Sequence, residues 1–64
     1  MITEKLVLLT RQDTYFVEYL LGQLVLSDSI SEAMIFETAE TASRYREMLY
    51  KTCNLECSVN TYIV

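Results

Sequence analysis

The residues of this 64-residue chain best equipped for chemistry are two cysteines, Cys53 and Cys57. A thiol can act as a nucleophile, a redox partner or a metal ligand, and each role needs company. A structural zinc site takes four Cys or His ligands, commonly from paired C-x-x-C motifs. Here a lone C-x-x-x-C stands in a chain with no histidine. Nucleophilic catalysis needs an activating base, histidine most often. Ser27, Ser29, Ser31, Ser43, Ser58 and both thiols lack one, and Lys5 and Lys51 read as solvent-exposed ends. Glu37 and Glu40 are close enough in sequence for paired acid–base work. They also open a helix, where the macrodipole alone favours acids. A single glycine makes neither G-x-G-x-x-G nor a Walker loop. A pocket enclosing a drug-sized ligand would consume most of a core this small. The inventory reads as a protein without catalysis, cofactor or metal, in which the cysteines serve as small buried hydrophobes.

Charge indicates what such a protein touches. Nine acids oppose five bases, for a net charge of −4. Between Arg11 and Arg44 there is no basic residue, while Asp13, Glu18, Asp28, Glu32, Glu37 and Glu40 all fall there. An acidic surface accounts for this, and an acidic face for a basic partner is the sharper reading. Nucleic acid is disfavoured. Arg44, Arg46 and Lys51 have acids beside them, and Tyr15, Phe16, Tyr19 and Tyr62 lack the basic groove that base-stacking proteins use. No apolar run approaches the roughly 20 residues of a membrane span. Glu4 and Lys5 interrupt any secretory h-region, so a cytoplasmic protein with reduced thiols is expected.

The elements follow from periodicity. Residues 5–11, with Leu6, Val7, Leu8 and Leu9 in succession, predict a strand covered on both faces. Gln12 and Asp13 form a polar break of hairpin length, and 14–20 is rich in strand formers. Alternation there puts Tyr15, Val17 and Tyr19 on one face and Phe16, Glu18 and Leu20 on the other. A helix capped by Asp13 competes for this segment, but it would be apolar all round and run through Gly22. Gly22 suits a turn or bulge of positive φ, and 23–26 returns as a short third strand. Ser29-Ile30-Ser31-Glu32 fits the capping box S-x-x-E and predicts one helical turn, followed by an extended piece at 34–36.

The main helix carries the strongest pattern. Thr38 is its N-cap, and Ala39, Ala42, Tyr45, Met48, Leu49 and Cys53 form the inner stripe. Glu40–Arg44 and Glu47–Lys51 are i,i+4 pairs on the outer face, and Asn54 ends the helix in the left-handed region. From Leu55 onward the chain alternates. Leu55, Cys57, Val59, Thr61 and Ile63 face one way, and Glu56, Ser58, Asn60, Tyr62 and Val64 the other.

The expectation is one small α+β domain over residues 1–64. A small antiparallel sheet of three or four strands packs on one main helix, in the order β-β-β-turn-α-β. A single helix covers one sheet face. Phe16, Tyr62, Val64 and one set from 6–9 are therefore expected to remain in view as an interface, for another protein or for a second copy. The partner-binding candidates are Phe16 and Tyr62 on that face, with Glu32, Glu37 and Glu40 as the acidic set.

From Ile30 to Tyr45 the residues follow the rhythm I-x-E-A-x-x-F-x-T-x-x-x-A-x-x-Y. This resembles small uncharacterised α+β proteins of phages and prophages of Gram-positive bacteria, with a hairpin before the motif and a closing strand after its helix. The resemblance covers most of the chain, is structural, and brings no functional residue; the hydrophobic stretch at 20–26 departs from it. It implies an accessory protein that works by contact, binding and inhibiting a host or defence protein in the host cytoplasm, and the acidic interval from Asp13 to Glu40 suits a target with a basic surface. The alternative is a self-associating structural or regulatory homodimer.

Overall fold

The computed structural model describes residues 4–63, so the expectation for Val64, and that for the side chain of Ile63, fall outside what it describes. Strands β1 (Glu4–Thr10), β2 (Tyr15–Leu20) and β3 (Gln23–Ser27) lead into a 3₁₀ turn (Ile30–Glu32), helix α1 (Ala39–Cys53) and strand β4 (Cys57–Ile63). The four strands form one antiparallel sheet in the order β3-β2-β1-β4. The predicted α+β class and element order are thus those of the molecule, and residues 15–27 form two strands and not a helix.

Local chemistry accounts for the boundaries. In the first hairpin the Thr10 hydroxyl sits 2.6 Å from that of Thr14 and accepts the Thr14 N–H, while Asp13 takes a positive φ of 61°. In the second, Leu21 (φ 52°) and Gly22 (φ 77°) link the paired residues Leu20 and Gln23. Two successive positive φ values are the signature of a type I′ turn. Thr38 caps α1, its Oγ1 accepting the Thr41 N–H at 3.2 Å. Asn54 ends the helix in the left-handed conformation, and Glu40–Arg44 and Glu47–Lys51 close at 2.8 and 2.9 Å. The capping box does not form. Ser29 makes no side-chain cap; its hydroxyl meets that of Ser31, and Glu32 Oε1 accepts from the Ser27 hydroxyl at 3.0 Å. The Glu32 N–H that the box would satisfy donates instead to the Ser29 backbone carbonyl at 3.1 Å, the i→i+3 bond of the 3₁₀ turn.

The sheet is two ladders held together by a wedge. β1 pairs with β4 over its full length, and β2 with β3, but β1 and β2 are in register only at Leu9↔Tyr15. Below that pair the segment 34–36 enters between them. Leu6 and Phe36 exchange both backbone bonds (3.1 and 2.8 Å), and the Met34 N–H donates to the Phe16 carbonyl at 2.9 Å. The extended piece read from the sequence is therefore a bridge between the two ladders.

The core is Leu8, Phe16, Phe36, Ala42 and Leu49, with Leu6, Tyr19, Leu24, Leu26, Tyr45 and Met48 packed around it. Phe16, Phe36 and Tyr45 form an aromatic cluster, ring centroids 5.1–6.5 Å apart. Phe16 is 0% exposed, which overturns its placement on an open face. The cause is a β-bulge: Phe16 pairs with Leu26 and Glu18 with Val25, leaving Val17 as an extra residue. The slip of one position turns both Phe16 and Tyr19 toward the helix, whereas strict alternation separates them. Nor is the β1 set left in view. Val7 is 1% exposed and Leu9 half-buried. Ala39 is exposed in the first helical turn and does not join the inner stripe.

Candidate functional site

Of the four exposed large hydrophobics among the described residues, three lie on the β2–β3 hairpin and the fourth, Tyr50, on α1. Leu20 is 62% exposed, Leu21 96% and Val25 39%. Leu21 holds a left-handed backbone that costs an L-residue with a Cβ about 1–2 kcal/mol. It gains nothing from burial in return. Glu18, cross-strand partner of Val25, is exposed on the same face as Leu20. The tip projects from the acidic part of the chain: residues 12–43 carry six carboxylates and no basic side chain, and the remainder five basic and three acidic ones.

The sequence candidates are distributed differently. Glu32 is exposed but tied to Ser27, and Glu40 is exposed but paired with Arg44. Glu37 is exposed just ahead of the helix cap and, among the described residues, forms no ion pair. No contact joins these three into one cluster. Tyr62 is half-buried on β4 opposite Lys5, and Phe16 is inside. Sequence reasoning missed Leu20, Leu21 and Val25. The usable signal was a leucine directly before the only glycine, in a turn that favours Asn or Asp there.

A second feature is an open cleft of about 690 Å³ where α1 parts from the adjoining ends of β1 and β4. Ser43, Arg46 and Tyr50 line its helical wall and Thr10, Leu55 and Cys57 its floor, with the Arg11–Glu56 ion pair (2.7 Å) at the rim. It is an open cleft beside the core, not an enclosing pocket of the kind whose volume would come out of the core. Burial pushes the Cys57 thiol above its ordinary 9.0, and the Arg46 guanidinium opposes that shift. Both cysteines are free and half-buried against the core. Among the described residues no group of three or more His, Cys, Asp or Glu side chains is placed to hold a metal ion. No described helix is long and apolar enough to cross a membrane.

Comparison with protein-family models, with curated proteins and with solved structures gives no match.

Proposed function

We propose that the chain is a non-catalytic protein-binding module, of the phage accessory kind its 30–45 rhythm resembles, which contacts and inhibits a host or defence protein. The observation that carries this reading is Leu21: a leucine 96% exposed, at a backbone conformation better suited to Asn or Gly. Folding alone gives no reason for leucine at this position, whereas insertion into a partner's apolar pocket does. Six carboxylates without a base, over the same part of the chain, suit a pocket bordered by Lys or Arg.

The test compares capture from a Gram-positive bacterial lysate by the tagged chain and by a Leu20→Ser, Leu21→Asn double variant. Both positions are exposed, so the fold survives the change. A protein enriched by the native chain, lost with the variant and weakened by added salt supports the reading. Equal recovery by both chains refutes it.

A further inference from the structure

Among the described residues, strand β4 is a long edge with none of the devices that keep sheet edges from pairing. It is seven residues long, carries no charge and no proline, and runs against β1 in unbroken register without a bulge. Its sequence is rich in β-branched and aromatic residues. The free groups can be identified. Leu6 spends its N–H and C=O on Phe36, away from β4, so its β4 partner Thr61 is a non-hydrogen-bonded partner. By alternation Ser58, Asn60 and Tyr62 bond to β1, while the N–H and C=O groups of Cys57, Val59 and Thr61 point outward. Among the described residues no other backbone bond engages β4.

We infer that β4 is the dimerisation edge of this chain, pairing antiparallel with β4 of a second copy about a twofold axis through Asn60. In that register Val59 meets Thr61 of the partner subunit, Thr61 meets the partner's Val59, and Asn60 meets the partner's Asn60. Each outward-facing pair exchanges two N–H···O=C bonds. Every side chain so opposed is uncharged, and an antiparallel strand is complementary to itself under a twofold axis.

Charge selects this edge over β3, the other one. β3 is shorter, five residues, and lies in the part of the chain with six carboxylates and no base, so two copies meeting there repel. Outside 12–43, five basic and three acidic side chains leave a net +2, a weaker self-repulsion than the −6 within it. The resulting sheet reads β3-β2-β1-β4-β4-β1-β2-β3 and carries one hairpin tip at each far end. This inference does not depend on what the tips bind.

Sedimentation equilibrium of the full chain, from about 1 μM to about 1 mM, reads the mass directly. The expected result is a rise toward twice the 7.5 kDa chain mass. Thr61→Pro deletes an outward N–H without touching the β1 ladder, and Thr61→Lys places a charge on the edge. Both are expected at the single-chain mass with native circular dichroism; if the proline variant fails to fold, the lysine variant decides. Hydrogen exchange adds a residue-level readout, in which the Val59 and Thr61 amides slow at least about tenfold between the ends of the concentration range. Three results overturn the inference: a single-chain mass throughout, a folded Thr61 variant that keeps the dimer mass, or a dimer whose Val59 and Thr61 amides exchange as fast as in the monomer.

Discussion

Replacing Leu21 by Asn separates what the hairpin tip does for the fold from what it does for a partner. Leu21 is almost fully exposed, so removing its side chain forfeits essentially no burial. Its backbone sits at φ 52°, followed by Gly22 at 77°. Left-handed geometry costs an L-residue about 1–2 kcal/mol, and asparagine, which bonds locally to the backbone, relieves part of that. The variant also creates Asn-Gly, the dipeptide most favoured in a type I′ turn. The expected gain is about 0.5–1 kcal/mol of stability. For a domain of this size that raises Tm by about 2–8 °C. Guanidinium unfolding followed by circular dichroism checks it, through a higher midpoint at unchanged slope. A lower midpoint refutes the reasoning, because it means Leu21 supports the fold. Higher stability joined to weaker partner binding is the pattern of a residue kept for function at the expense of folding.

Other changes probe the interior and its caps. Phe36→Ala removes the aromatic centre of the core and two contacts with Phe16 and Tyr45. Its cost of about 3–5 kcal/mol takes up most of the stability of so short a chain, and near-native urea resistance contradicts the packing described. Thr38→Ala removes the N-cap of α1 and costs about 1 kcal/mol, read as a lower urea midpoint. Breaking the exposed Glu47–Lys51 pair with Glu47→Ala changes stability by no more than about 0.5 kcal/mol in the same assay. The Cys57 thiol is held above its ordinary 9.0 by burial, so the folded chain keeps a proton that the unfolded chain releases. That contribution is complete below pH about 9 and is lost as pH rises through the folded value. Urea midpoints should therefore fall more steeply above pH 9 for the native chain than for Cys57→Ala; parallel curves contradict the assignment.

How much was legible depends on whether the determinant was local. Helix α1 could be read to the residue because Thr38, Asn54 and the two i,i+4 pairs act within one turn of chain. The alternation read from 55 onward holds to Val59, with Leu55, Cys57 and Val59 packed against the core; beyond it Thr61 is exposed and Asn60 and Tyr62 are half-buried. Strand β2 fails the same reasoning at one residue. Val17 is an ordinary strand former, and nothing around it announces a bulge. The bulge sits beside Phe16, whose carbonyl accepts from the Met34 N–H, a partner a full hairpin away in sequence. With the bulge, Phe16 lies in the core and not at the expected interface. The acidic candidates Glu32 and Glu40 were visible as charges, but their engagement with Ser27 and Arg44 is a matter of geometry. Leu21 was within reach of the sequence, as a leucine where the turn favours Asn.

We propose that this chain works by contact through its hairpin tip. A photo-crosslinking side chain placed at position 21, with a control at the exposed Tyr50 on the cleft wall of α1, tests it directly. After irradiation in a Gram-positive bacterial lysate, the expected result is a discrete adduct to a second protein from position 21 and none from position 50. The absence of an adduct from position 21, or the same adduct from both positions, contradicts it.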